Sequence, residues 1–275
     1  MATISNKVSE RLVAGIKRFQ PILESAKSRD LGEADTVTIV VDLLADVFGY
    51  DKYSEITSEI AIRGTYCDLA IKIKDTIQAL IEVKAIGLEL KESHLKQAVD
   101  YAANAGVDWV VLTNGMCWRI YKVSFTKPID HDLVVDIEFD KLSPKDDKDA
   151  ETLYLFCKEG WVKSVLGDYL NQKQALSRFF LGAILLTDPV LEVIRRELRR
   201  VSRDVKIDVE EIKTVLTAEV IKREVMDCDK AEEARKKIGR AASKSLRKSA
   251  DKESSEPASQ GATKSPALVP QTKPA

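Results

Sequence analysis

The hydrophobic periodicity changes several times within the first half of the chain, and this order of patterns constrains the fold more than any other feature. Apolar residues recur at helical spacing over residues 5–28 and again from Val37 up to Gly49. From Tyr53 the period becomes two, which predicts strands separated by short turns. Three such strands are predicted at 54–62, 66–74 and 77–85. The chain therefore begins with two helices and a three-stranded meander.

A helical pattern at 91–105 separates this meander from two further predicted strands. The fourth strand is a compact apolar run at 108–113, and the helix crossover places it parallel to the third strand. Thr113-Asn114-Gly115 then predicts a tight hairpin into a fifth strand at 117–123, because Asn-Gly suits the positive dihedral angles of such turns. The fold class that follows is α/β, with a mixed sheet flanked by helices.

Local signals predict where individual helices begin and end. Pro21 should kink or end the first helix near Gln20. Asp30 and Glu33 have the spacing of a capping box for the second helix. Later in the chain, Asp188-Pro189 predicts a cap followed by a first-turn proline, and Asp208 with Glu211 predicts another capping box.

Composition divides the chain into three predicted parts. The predicted α/β core covers 1–142, and helical patterns then continue through a predicted appendage at 143–242. Residues 243–275 are rich in Ser, Ala, Lys and Pro and contain no aromatic residue, which predicts a disordered tail.

Charge and cysteine usage limit the classes of protein to consider. The formal net charge of -1 gives no attraction of the whole chain to phosphate, so any affinity for nucleic acid must be local. The four cysteines form no CxxC pair, which favours reduced thiols. The longest apolar run, Phe179 to Leu186, is too short to cross a bilayer. We expect a cytoplasmic protein without a membrane partner.

Two carboxylates come together when the second and third strands are paired by their apolar pattern. A three-residue loop, Lys74 to Thr76, would set Ile73, Ile71 and Leu69 against Ile77, Ala79 and Ile81 on one face. The same register sets Asp68 opposite Glu82, with Cβ atoms roughly 5 Å apart. Directly opposed like charges weaken a sheet, so the arrangement calls for a compensating group.

A divalent cation is the compensation that these residues favour. Mg²⁺ takes a few carboxylate oxygens together with water and phosphate, and Lys84 lies on the face of Glu82, where an ammonium can position water or steady phosphate charge. Gln97 and Tyr101 lie one helical turn apart on the next helix. The alternative is that Asp68, Glu82 and Lys84 only decorate a solvated sheet face.

Several motifs between Glu59 and Tyr121 together resemble a known family. They are Gly64, Cys67-Asp68-Leu69-Ala70-Ile71, Ile81-Glu82-Val83-Lys84-Ala85, Gln97-Ala98-Val99-Asp100-Tyr101, and Thr113-Asn114-Gly115 with Trp118. This set resembles the N-terminal nuclease domain of type I restriction enzyme R proteins.

The resemblance implies a PD-(D/E)xK restriction-endonuclease-like fold and a metal-dependent nuclease. It implies that Asp68 and Glu82 bind Mg²⁺, or Mn²⁺ in its place, that Lys84 is the catalytic lysine, and that Gln97 helps place the water with Tyr101 in support. It also suggests Glu33 as a further acidic group at the metal, with the capping box as its equally weighted alternative. DNA is the implied substrate, and restriction-system subunits or further copies of the chain are the implied partners.

The sequence departs from the family in one respect. Type I R proteins continue into a helicase motor, yet this sequence contains no G-x-x-x-x-G-K-[ST] loop. We therefore predict cleavage without ATP. A noncatalytic module that binds nucleic acid or protein with the nuclease fold remains the alternative function.

A basic cluster in the appendage is a second candidate for nucleic-acid binding. Its members include Arg195, Arg196, Arg199 and Arg200 on one predicted helix. The competing interpretation is a solvated helix face that Glu192 and Glu197 partly neutralise, and the sequence slightly favours it.

Overall fold

A six-stranded mixed sheet organises the N-terminal part of the chain. In this computed structural model, residues 3–62, 65–125, 127–203 and 205–253 are described. The strands are β1 (Ile56–Ile62), β2 (Thr65–Ile73), β3 (Thr76–Val83), β4 (Trp109–Thr113), β5 (Cys117–Ser124) and β6 (Asp130–Glu138). They lie in sequence order across the sheet, with β3 and β4 parallel and the other neighbours antiparallel. The predicted mixed sheet and its parallel crossover are confirmed.

Helices cover both faces of this sheet and form two buried clusters. Helices α1 (Asn6–Ser28) and α2 (Glu33–Asp46) pack on the face that carries Leu69 and Ile81. Helix α3 (Glu92–Ala105) packs in a second cluster with Ala70 and Leu80. Successive strand residues point to opposite faces, so the neighbours Leu69 and Ala70 belong to different clusters. Asp68 and Glu82 share the alternation of Ala70 and Leu80.

The register between β2 and β3 is largely the predicted one. Leu69 pairs with Ile81, and Ile71 pairs with Ala79. The predicted contact of Ile73 with Ile77 is wrong, because Ile73 pairs with Thr76 across a two-residue turn, Lys74-Asp75, with φ of 50° and 61°. An extra residue on β3 between Ile77 and Ala79 then forms a bulge that restores the predicted register.

The sixth strand was not predicted from the sequence. Three aspartates lie within β6, and its buried residues Val134 and Val135 are consecutive instead of alternating. A register shift between Ile120 and Tyr121 on the neighbouring β5 accompanies this irregularity. Because the strand ends the sheet order and carries a bulge, it lacks the regular alternation that marks a half-buried strand.

Three predicted helix boundaries need correction. Helix α1 does not end near Gln20 but continues through Pro21 to Ser28. The N-cap of α2 is Gly32, and Asp30 lies before the helix with φ of 51°, so the Asp30 capping box is wrong. The helix at Asp188 has Thr187 as its N-cap, with Pro189 in the first turn. The Asp208–Glu211 capping box is confirmed.

The chain divides into two compact units, residues 1–172 and 173–275. The first unit also contains a 3-10 turn at Phe139–Lys141 and the helices α4 (Asp147–Tyr154), α5 (Lys158–Val162) and most of α6 (Val165–Ala175). Residues of α4 and the turn after it, such as Leu153 and Phe156, are buried in the cluster under α1 and α2. The predicted domain limits at 142 and 242 stay predictions.

The second unit is helical. It contains α7 (Arg178–Leu185), α8 (Asp188–Val201), α9 (Val209–Val215), a π-helical segment at Leu216–Val220, α10 (Arg223–Met226) and α11 (Asp229–Glu253). The predicted disordered tail, 243–275, overlaps the end of α11, and its part from 254 onward lies outside the described residues. Among the helices that are described, none is both long and apolar enough to cross a membrane.

Candidate active site

Asp68 lies where the ladder between β2 and β3 opens. The last pair of that ladder is Leu69 with Ile81, while β3 continues beside β4 as far as the pair of Val83 with Thr113. Asp68 is therefore one position beyond the paired region, opposite Glu82 by continuation of the register. Its Oδ2 atom accepts the backbone N–H of Val83 at 2.7 Å. The Asp68 carboxylate thus accepts a β3 N–H that a backbone carbonyl of β2 would accept in a regular ladder. This hydrogen bond links the two strands at the point where their backbone pairing ends.

Glu82 is the buried carboxylate of the site. Its side chain is 2% exposed, and its Oε1 atom accepts from the Lys84 ammonium at 2.8 Å. Its Oε2 atom is buried and has no hydrogen-bond partner among the described residues. Burial raises the pKa of Glu82, and the charge of Asp68 raises it further, against the lowering effect of Lys84. Burial also raises the pKa of Asp68. Both carboxylates are thus costly to ionise in the folded protein.

Lys84 joins two carboxylates from different elements. Its Nζ lies 2.8 Å from Glu82 Oε1 and 3.3 Å from Glu33 Oε2, and its side chain is 14% exposed. Burial would lower the pKa of Lys84, but the Glu82 and Glu33 carboxylates raise it overall. The ammonium therefore remains charged at the mouth of the site.

Glu33 is the first residue of α2, and its side chain makes no capping bond. Its carboxylate accepts from the ammonium of Lys84, 51 positions later in the chain. Within the described ranges, no group of three or more His, Cys, Asp or Glu side chains is arranged to hold a metal ion. Glu33 thus contacts the site through the ammonium of Lys84.

The backbone after Lys84 is held by two buried polar side chains that the sequence analysis missed as site residues. Thr36 of α2 accepts the N–H of Ile86 at 3.1 Å, and the Asn114 amide donates to the carbonyl of Leu88 at 2.8 Å. A threonine within the apolar stripe of an amphipathic helix was the available signal for Thr36. The Asn-Gly pattern predicts a backbone role for Asn114 in the hairpin turn, whereas the positive φ there belongs to Gly115.

Comparison with known proteins identifies one family whose model matches part of this chain. Residues 38–136 match the model of the type I restriction enzyme R protein N terminus. The resemblance predicted from the sequence is therefore confirmed for this segment, which is just over a third of the chain. No curated protein and no solved structure gave a significant match. The match suggests a nuclease-related role.

The segment that matches the R-protein N terminus contains Asp68, Glu82 and Lys84, together with Gln97 and Tyr101 of α3. The Gln97 amide donates to the Tyr101 hydroxyl at 2.8 Å, and Tyr101 is buried. In the described part of the chain, this amide makes no hydrogen bond to Asp68, Glu82 or Lys84. A supporting role for Gln97 and Tyr101 stays a prediction.

The basic cluster of α8 lies outside the segment matched to the R-protein family, in the second compact unit. Arg195 pairs with Glu192 at 2.7 Å, while Arg196 and Arg200 lie 3.6 Å and 2.9 Å from Glu197. The fourth arginine, Arg199, donates to the carbonyl of Ile207 at 3.5 Å. These contacts favour the interpretation of a neutralised, solvated helix face.

Proposed function

We propose that the protein is a Mg²⁺-dependent DNA nuclease of the PD-(D/E)xK type, with Asp68, Glu82 and Lys84 as its catalytic residues. The observation that carries the proposal is the buried Oε2 of Glu82, which has no hydrogen-bond partner among the described residues and lies beside a second carboxylate. A buried charged oxygen without a partner costs free energy unless a ligand satisfies it. The nuclease-related family match supports the same reaction class.

The donor set fits a small, hard cation. Asp68 and Glu82 offer oxygen atoms only, and Mg²⁺ prefers a few carboxylates while keeping water and phosphate in its remaining positions. Mn²⁺ shares this preference for oxygen and is expected to replace it. When bound, such an ion neutralises charge on the phosphate and lowers the pKa of a bound water. Because Glu82 Oε2 has no hydrogen-bond partner among the described residues, a cation bound there would break no protein hydrogen bond.

Each residue of the proposed site then has a defined role. Asp68 and Glu82 hold the cation at the point where β2 and β3 part. Lys84 presents its ammonium to the attacking water or to a non-bridging phosphate oxygen, where negative charge develops. Gln97, supported by Tyr101, is proposed to help place the water. The reaction is hydrolysis of a phosphodiester bond, and no part of this constellation requires ATP.

The test is cleavage of circular and linear DNA by purified protein in Mg²⁺, with EDTA as the metal-free control. We expect Asp68→Ala and Lys84→Ala to lower the rate at least about 100-fold, the range seen when one electrostatic contact to a transition state is removed. Lys17→Ala and Glu24→Ala, at exposed positions of α1, are the matched controls and should cut at the wild-type rate.

Two outcomes would count against the proposal. Equal cleavage by wild type, Asp68→Ala and Lys84→Ala would show that the site is assigned wrongly. A folded wild type that cuts no DNA in Mg²⁺ or Mn²⁺, yet binds DNA in EDTA with steep salt dependence, would favour the noncatalytic binding module.

A further inference from the structure

The geometry around Lys84 distinguishes Glu33 from the other two carboxylates. Asp68 and Glu82 lie on adjacent strands, whereas Glu33 begins α2, and its side chain is 49% exposed against 2% for Glu82. Glu33 reaches the site through its 3.3 Å contact with the Lys84 ammonium. In the described residues, no three acidic side chains come together as a metal cage.

The first turn of α2 contacts the segment that follows β3 at a second point, Ile86. Thr36 is fully buried, donates to the carbonyl of Gly32 at 2.8 Å and accepts the N–H of Ile86 at 3.1 Å. Glu33 and Thr36 are three positions apart and are therefore neighbours on the helix surface. Lys84 and Ile86, their partners, are two positions apart. One helical turn thus holds both the side chain of the lysine and the backbone that follows it.

The backbone of Ile86 is also held through its carbonyl. Asn114, in the turn between β4 and β5, donates to the carbonyls of Ile86 at 3.4 Å and Leu88 at 2.8 Å. The backbone N–H of Lys84 donates to the carbonyl of Thr113 at 2.8 Å. With both ends of the segment fixed, the remaining freedom at Lys84 is that of its four-carbon side chain.

A long, flexible ammonium needs a fixed anion if it is to stay in one place. Glu82 supplies one partner in this structure, but under the proposed function its charge is shared with a cation. Glu33, half-exposed at the mouth of the site, is then the anion that still holds the ammonium. We propose that Glu33 is a positioning residue for Lys84 and not a metal ligand, and that Thr36 fixes its helix at the required distance. This inference rests on the proposed function.

The experiment separates metal binding from catalysis. Binding of Mg²⁺ alone to the DNA-free protein is measured by isothermal titration calorimetry, and the single-turnover rate of DNA cleavage is measured at saturating Mg²⁺. For Glu33→Gln we expect Mg²⁺ affinity within about threefold of wild type, because a screened half-exposed charge contributes little. We expect the cleavage rate to fall about 10- to 100-fold, as for a displaced catalytic group. Asp68→Asn should lose Mg²⁺ binding.

Three further variants test the geometry. Asp35→Asn removes an equal charge from the same exposed turn, where no described contact reaches Lys84, and should cut at the wild-type rate. Thr36→Val removes the hydroxyl that holds Ile86, so the rate should fall while Mg²⁺ binding stays. Thr36→Ser keeps the hydroxyl and should restore the rate. Circular dichroism establishes that each variant is folded.

Loss of Mg²⁺ binding in Glu33→Gln, to the extent seen in Asp68→Asn, would overturn the proposal and make Glu33 a ligand. An unchanged cleavage rate in Glu33→Gln would overturn it as well, while leaving the nuclease assignment intact. A wild type that neither binds Mg²⁺ nor cuts DNA would instead overturn the proposed function, and this inference with it.

Discussion

Asn114 carries more hydrogen bonds than any other polar side chain near the site, and its removal should destabilise the first compact unit measurably. The side chain is 5% exposed. Its Oδ1 accepts the N–H groups of Cys117 at 2.7 Å and Met116 at 3.1 Å, and its Nδ2 donates to the carbonyl of Leu88 at 2.8 Å. The fourth contact, to the carbonyl of Ile86, is 3.4 Å long and correspondingly weak.

The magnitude follows from these contacts. Each of the three short bonds contributes about 1 kcal/mol, and a buried group left without a partner costs about 1–3 kcal/mol. Met116 is buried, so water cannot readily replace the bond to its N–H, whereas Leu88 is exposed and its carbonyl can be rehydrated. For Asn114→Ala we therefore expect a loss of about 3 kcal/mol in the free energy of unfolding.

The assay is urea denaturation followed by tryptophan fluorescence. All three tryptophans, Trp109, Trp118 and Trp161, lie in the first unit, so the signal reports on that unit. Trp118 also donates from its indole N–H to the carbonyl of Gly115, in the same turn as Asn114. Asn171→Ala, at an exposed helical position, is the control. A loss below about 1 kcal/mol for Asn114→Ala would refute the reasoning, since one net hydrogen bond would account for it.

Three other predictions concern charge. The folded-state pKa of Glu82 is raised, so the folded protein is more stable with Glu82 protonated than with Glu82 ionised. This extra stability should be fully present below the unfolded-state pKa of Glu82 and be lost as the pH rises through its folded-state pKa. Urea denaturation across this range should show that trend in wild type relative to Glu82→Gln, and a constant difference would contradict it. Mg²⁺ at 100 times its Kd should stabilise wild type by about 2.7 kcal/mol in thermal denaturation, with no shift in Asp68→Ala. Replacing Arg196 and Arg200 by Gln should leave DNA affinity unchanged because both pair with Glu197, whereas a salt-dependence slope lower by about 2 would indicate phosphate contacts.

Periodicity was sufficient to predict most of the sheet. The alternation of apolar residues fixed Leu69 opposite Ile81, and the helical pattern at 91–105 made β4 parallel to β3. These features depend on the spacing of apolar residues along one segment, which the sequence displays directly. The prediction was wrong where local geometry competes with spacing, as at the Lys74-Asp75 turn, and incomplete at β6, where a bulge interrupts the alternation.

The sequence by itself determined the mixed α/β sheet, the resemblance to the R-protein N terminus, and the placement of Asp68 and Glu82 on neighbouring strands. It also placed Lys84 beside Glu82, where the structure has it directly after β3. The tertiary structure decided which groups these residues meet. The contact of Glu33 with Lys84 spans 51 positions, while Thr36 accepts the N–H of Ile86 and Asn114 donates to the carbonyl of Leu88. Such contacts depend on how separate elements pack, and no local period encodes packing between elements. In the part of the chain that the structure describes, Glu82 Oε2 is buried without a hydrogen-bond partner, and this burial arises only when helices and sheet pack together.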